Sequence, residues 1–381
     1  MGLAKSAAKV GYRQAKNLAK LALKKPLTTP SLGSMTLDED DVGLARAWLK
    51  QEESWYDTGP VATFQSAFAA WNGSRCAFAF MSGRVALSAC LYALDLKPGD
   101  EVILPGYTCV VVPNALSYAG ITPVFCDIEL DSYGLDAKEV EAKITPNTRA
   151  ILLHHLFGLV CRDYDAILAV AKRHGLKVIE DCAHATGASY RGVKVGNLGD
   201  VAFYSTEQSK VLNTVQGGVA TTNDDAVAER LRAYHEKAPL PDPIWIDRQL
   251  HNLIVNYYQF KHPGRWWLGD AYNLRFGHKV LISTTREEEK GIRPAHYGRK
   301  MPAPIAALGL NQLKKVESYN SRRRLTATKW DAWCEREGYQ KPLVVSGSSA
   351  VFLRYPVLVE AAKKRDTSWA VKRLGVTPGV W

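Results

Sequence analysis

Apolar residues fall along this chain in short continuous runs, half of them followed by stretches with helical spacing. Residues 76–80, 101–104, 124–127, 150–153, 178–181 and 201–205 have the length and composition of buried strands. Between them, 85–94, 137–144 and 162–174 carry the three-to-four-residue spacing of helices. Strands that alternate with helices predict an α/β fold with a mostly parallel central sheet and crossover helices. Ahead of the first strand, Phe64, Phe68 and Trp71 recur at helical spacing after Gly59-Pro60, a stripe suited to core packing.

Both flanks depart from this alternation. In residues 1–25, Lys5, Lys9, Arg13, Lys16, Lys20 and Lys24 form one stripe, with Leu3, Ala7, Val10, Leu18, Leu21 and Ala22 opposite, and Pro26 and Pro30 follow. This predicts a basic amphipathic helix, either lying on an anionic membrane surface or standing as a solvated or docked extension. Charges interrupt it throughout, so it does not read as a secretory signal. From 235 to 295 the chain is dense in aromatic residues (Trp245, Tyr257, Tyr258, Phe260, Trp266, Trp267, Tyr272) among His262, Arg265, Arg275 and Lys279. Such text suits a membrane-interface contact or a substrate lid. We favour the simpler reading, an insertion packed on its own helices or on a partner subunit.

Composition narrows the classes. The chain has 381 residues, 46% of them apolar, enough for one large and one smaller lobe. The net charge is +11, but seven of the basic residues lie in residues 1–25, where there is no acid. The body is therefore mildly basic, and a nucleic-acid partner is not indicated. Seven cysteines are scattered without a C-x-x-C pair, which fits buried thiols in a reducing, cytoplasmic setting better than disulfides or a metal site. No apolar run approaches the length of a membrane span.

The densest chemistry lies between 178 and 222. Asp181 closes a strand, and Lys210 stands in a following loop ahead of Gly217-Gly218. An acid at a strand's carboxyl end and a lysine in the loop beyond are the pair a pyridoxal phosphate (PLP) site requires. The lysine anchors the cofactor, and the acid pairs with its ring nitrogen. Upstream, Ser82-Gly83-Arg84 is a turn feeding a helix N-terminus, whose free N–H groups and dipole suit a phosphate.

The run Glu180, Asp181, Cys182, Ala183, His184, Gly187, Ala188, Tyr190, Gly192, Gly196, Gly199, Asp200, then Tyr204, Ser205, Lys210, Gly217 and Gly218, resembles the DegT/StrS-type sugar aminotransferases, a branch of the fold-type-I PLP enzymes. The resemblance implies a large PLP-binding domain over 31–234, after the extension of residues 1–30. The insertion of 235–295 follows, then a dimer-contact helix and a partial small C-terminal domain over 296–381. It implies Lys210 and Asp181 as catalytic residues. Ser82, Gly83, Arg84, Cys109, Asp181, His184, Ser205 and Lys210 would bind the cofactor, with no metal. His155-Leu156-Phe157-Gly158 is similar to a family motif near the substrate, whereas His154 has no counterpart and reads as structural. The implied reaction moves an amino group, usually from glutamate, to a nucleotide-linked keto-sugar for surface polysaccharide or glycoconjugate synthesis, in a homodimer. The implied location is the cytoplasm, with the possibility of a peripheral contact at the inner membrane face through residues 1–25.

This chain departs from the family at five places. Arg84 replaces a threonine, and Cys109 replaces the aromatic residue that stacks on the cofactor, with Tyr107 as a substitute if it moves. Glu207 adds charge beside the lysine, and Gly298 stands where the family's asparagine reaches across the dimer. The chain ends at Trp381, short of the family's usual small lobe, so either a trimmed lobe or a fragment of a longer chain is expected. The last four of these departures open a second reading, a member that has lost catalysis and serves as a scaffold at a membrane-associated polysaccharide assembly system. Retention of both Asp181 and Lys210 favours the enzyme, and lysine at 210 weighs against the sugar dehydratases, which carry histidine there.

Overall fold

A computed structural model describes residues 36–262 and 284–380, together with isolated residues between 11 and 22. Trp266, Trp267 and Tyr272 of the aromatic segment lie outside the described residues, as does most of the basic extension. Those extension residues that are described are helical, and Tyr12 and Leu18 in them are exposed. Among the described residues no helix is long and apolar enough to cross a membrane.

Helices α1 (Glu39–Trp48) and α2 (Thr58–Asn72) lead into the sheet. The core of the fold follows as β1 (Cys76–Phe80), α3 (Gly83–Ala93), β2 (Glu101–Pro105), α4 (Val111–Tyr118), β3 (Thr122–Cys126), α5 (Ala137–Ala142), β4 (Thr148–His154), α6 (Tyr164–His174) and β5 (Lys177–Asp181). A hairpin of β6 (Ser189–Tyr190) and β7 (Val193–Lys194) comes next, then β8 (Val201–Ser205), β9 (Gly218–Thr222) and α7 (Asp225–Lys237). The seven-stranded sheet has the order β1-β9-β8-β5-β4-β2-β3, with all neighbours parallel except the pairs made by β9. The expected mostly parallel α/β architecture is present.

Both faces of the sheet are buried, which is why its strands read as continuous apolar runs. Ile151 and Leu153 of β4 enter one core cluster, beneath α2 and α6, while Ala150 and Leu152 enter the other, beneath α3. Strand β9 is absent from the sequence reading; it opens at Gly218, directly after Gly217, and these glycines serve close approach. A Cβ on Gly218 would lie 2.4 Å from the Ser82 carbonyl carbon, so only glycine lets β9 start against the Ser82 turn.

Beyond the sheet, α8 (Pro243–Lys261) packs on α1, where Arg46 Nη2 donates to the Tyr258 hydroxyl at 3.0 Å. A short helix, α9 (Arg286–Glu289), lies against α4. Position 235 falls inside α7, which ends at Lys237. The chain continues through α10 (Ala303–Leu313), the long α11 (Val316–Glu337), β10 (Ser348–Ser349), α12 (Ala361–Arg365) and α13 (Ser368–Leu374). Strand β10 pairs with β6, tying this last part to the hairpin after β5.

Candidate active site

Ligands of open α/β sheets bind beyond the carboxyl ends of the parallel strands. Here that edge gathers His154 from β4, Asp181 from β5 and Ser205 from β8, with Ser82 just after β1. Because β9 is antiparallel, its first residue, Gly218, lies on the same edge and pairs with both Ser205 and Phe80. Ser82, His154, Asp181 and Ser205 border a cavity of about 220 Å³, also lined by Gly83, Arg84, Thr108, Cys109, His184, Glu207, Lys210 and Gly217. All eight residues expected to bind the cofactor thus border one space.

Asp181 and Lys210 face it under opposing influences. Burial pushes the Asp181 carboxyl up to about 6, against the Ala183 N–H that donates to it at 2.9 Å and the charge of Lys210. Burial lowers the Lys210 ammonium from the usual lysine value, while Glu207, Cys109 and Asp181 act the other way. A lysine with a depressed pKa has a larger neutral fraction at physiological pH, as a nucleophilic amine requires. A buried acid that accepts from a single backbone N–H among the described residues, facing an amine across a cavity, suits a group that brings its own positive nitrogen.

The phosphate end is equally specific. Ser82 is the N-cap of α3 with an extended backbone, yet its side chain makes no capping hydrogen bond, and no acid sits in the first turn. The helix N-terminus therefore presents its N–H groups and dipole to the cavity. A Cβ on Gly83 would lie 2.9 Å from Ser205 Cβ, so the glycine brings the turn up to the Ser205 hydroxyl. The residues present fit PLP: Ser82, Gly83 and Ser205 could hold its phosphate and Asp181 its ring nitrogen.

His184 is buried and held neutral by desolvation, its pKa well below the usual histidine value. Its Nδ1 accepts the Phe157 N–H at 3.2 Å, which leaves the hydrogen on Nε2 as a donor. Phe157 adopts a positive φ of 59° to make that bond. Glu207 caps its own turn, accepting the Ser209 N–H at 2.9 Å, and so shapes the loop that carries Lys210. Tyr107 packs against the cluster of Tyr133, Leu156 and Phe157, while Thr108 and Cys109 line the cavity.

Two residues enter the picture only in three dimensions. His154, read as structural, does donate from Nε2 to the Tyr133 carbonyl at 2.6 Å, but it also lines the cavity, and its Nδ1 has no partner among the described residues. Arg354 donates to the Ser209 carbonyl at 3.0 Å and adds to the forces that depress Lys210 and His184. An arginine inside the apolar run around it was the one available sequence signal.

His155, Glu180 and Cys182 bring ligand-type atoms within 4.8 Å of one another. Glu180, however, accepts from His155 Nε2 (3.1 Å), the Tyr164 hydroxyl, and the N–H groups of Gly196 (2.7 Å), Leu198 (2.9 Å) and Gly199 (2.6 Å). His155 Nδ1 accepts the Cys161 N–H, so Nε2 carries the hydrogen. Burial raises the Cys182 thiol well above its usual range. The cluster is a hydrogen-bond network, and we assign no metal to it.

Comparison with known proteins agrees with this geometry. A family model for the DegT/DnrJ/EryC1/StrS aminotransferase family matches residues 36–258. GDP-perosamine synthase of Caulobacter vibrioides is 46% identical over 172 residues, 45% of this chain and 46% of that protein. Spore coat polysaccharide biosynthesis protein SpsC of Bacillus subtilis is 31% identical over 341 residues, 89% of this chain and 76% of that protein. The matches thus span from about half to about three quarters of these relatives' lengths. Among solved structures, S. venezuelae DesV superposes with a TM-score of 0.66 at 27% identity, covering 89% of this chain and 78% of that one.

Proposed function

The chain belongs to the DegT/DnrJ/EryC1/StrS aminotransferase family, and from that premise we propose that it is a PLP-dependent aminotransferase acting on a nucleotide-linked keto-sugar. The observation that carries this reading is the convergence of Asp181, Lys210 and the uncapped Ser82 turn on one cavity. When bound there, PLP supplies the electron sink that stabilises charge on the donor's α-carbon. Lys210 would anchor the cofactor, and as a buried amine with a lowered pKa it would take up and return the proton moved in the transfer. Asp181 would keep a proton at the ring nitrogen, Ser82, Gly83 and Ser205 would hold the phosphate, and His184 would offer its Nε2 hydrogen to the bound group. Cys109 gives a softer and smaller face than an aromatic ring. Substrate choice follows relatives that are named for sugar and polysaccharide synthesis. Glutamate is the donor we favour.

The retained pair of Asp181 and Lys210 supports catalysis over the scaffold reading. The deciding experiment is the visible absorbance spectrum of the purified chain after PLP is added, beside Lys210→Ala. The expected result is a band that requires Lys210 and bleaches with glutamate. No band at saturating PLP would sink the proposal. The finer reading is a cytoplasmic homodimer with a peripheral membrane contact through residues 1–25. Sedimentation of the full chain and of residues 26–381, alone and with anionic liposomes, tests both parts. A monomer, or equal exclusion of both forms from the liposomes, would remove the corresponding part.

A further inference from the structure

The phosphate turn carries a cation that is already engaged. Arg84 follows Gly83 in the first turn of α3, and its guanidinium forms an ion pair with Glu288 of α9, 204 residues away in sequence. The side chains are 15% and 3% exposed, so solvent screens neither charge as it would at the surface. Glu288 is fixed in place by its own capping box, accepting the Thr285 N–H at 2.8 Å while Thr285 Oγ1 accepts the Glu288 N–H at 3.2 Å.

The surrounding segment is strapped over α3 and α4. Asn114 Nδ2 donates to the Glu288 carbonyl at 2.6 Å, and the Tyr118 hydroxyl to the Ile292 carbonyl at 2.9 Å. The Tyr297 hydroxyl bonds Ser88 Oγ at 2.8 Å and donates to the Arg84 carbonyl at 3.1 Å. Thr284, at the start of the strap, lines the cavity. A carboxylate is therefore held beside the turn that offers N–H groups to an anion.

A phosphate dianion entering this turn meets two opposed influences. The helix dipole and Arg84 attract it, while Glu288 repels it and holds the guanidinium. Arginine has five N–H donors and can turn a planar edge to either anion. We propose that Glu288 is a built-in competitor for Arg84 that lowers the affinity of the cradle for a phosphate group. A phosphate ester draws Arg84 away from Glu288 and loosens the strap over 284–297. The cofactor reading enters only in naming PLP as that ester; the competition itself concerns any phosphate.

The test measures binding of PLP, pyridoxal and inorganic phosphate to the full chain, in the parent and in Glu288→Gln. The substitution removes the charge and keeps an acceptor oxygen for Arg84. PLP and inorganic phosphate are expected to bind at least about fivefold tighter to the variant, the lower range of coupling between interacting sites, with pyridoxal unchanged. Equal changes for PLP and pyridoxal, or weaker phosphate binding, would overturn the proposal and leave Glu288 a structural strut. Hydrogen exchange of the parent protein gives an answer even if the variant does not fold. Inorganic phosphate should speed exchange at the 284–297 amides, and slowed or unchanged exchange would overturn the idea. A gain for inorganic phosphate without PLP binding at Lys210 would sink the cofactor reading and keep this one.

Discussion

Glu180 and Asp181 are consecutive carboxylates at the end of one strand, both buried, and they end in opposite electrostatic states. Their side chains leave β5 on opposite faces. Glu180 points into the core beneath α6 and the β6–β7 hairpin, where three backbone N–H groups, His155 and Tyr164 surround it. Burial alone would raise its pKa, but those donors hold it below the usual glutamate value. Asp181 points into the cavity with the Ala183 N–H as its donor, and burial wins. A saturated carboxylate organises structure, and an undersaturated one waits for a ligand. The difference lies in the count of donors and not in depth of burial.

Removing the saturated member should cost the most. Glu180→Ala leaves five donors facing an empty site and is expected to destabilise the fold by about 3–5 kcal/mol, the range for breaking a buried charged network. Urea unfolding would measure it, and a loss under about 1 kcal/mol would show that the network is decorative.

Asp181→Asn should move stability less, and in the other direction. Without cofactor, the folded state keeps this proton up to about pH 6, whereas an unfolded aspartate releases it near pH 4. The parent therefore loses stability relative to the variant as pH rises between those values, and the difference then stays level. Two pH units correspond to about 2–3 kcal/mol in favour of Asp181→Asn at pH 7. Melting temperatures of the two proteins should converge near pH 4. Added PLP should reverse the order at pH 7, since asparagine cannot pair with a protonated ring nitrogen. A parent that is already the more stable at pH 7 without cofactor would mean that Asp181 has partners beyond Ala183.

Much of the fold was legible because its signals are local. Six strands of the large sheet are marked by apolar runs, as burial on both faces demands, and helices follow three of them. The missed strand, β9, opens on glycines whose purpose is contact with the Ser82 turn, distant in sequence. The candidate site was legible in residue types, and its members do surround one cavity. The roles of Tyr107, His154 and Arg354 were not legible, because each depends on which way a side chain turns at the end of an element.

By itself, the sequence determined the alternation of strands and helices, the place of an acid at a strand end and a lysine in the next loop, and the family to which the motif belongs. These follow from residue type, spacing and periodicity, which need no contact between distant positions. The tertiary structure alone decided that Asp181 is raised while Glu180 is lowered, that His184 carries its hydrogen on Nε2, and that Arg84 is held by Glu288. Desolvation and donor number are properties of an environment, and that environment exists only once segments far apart in the chain have packed together.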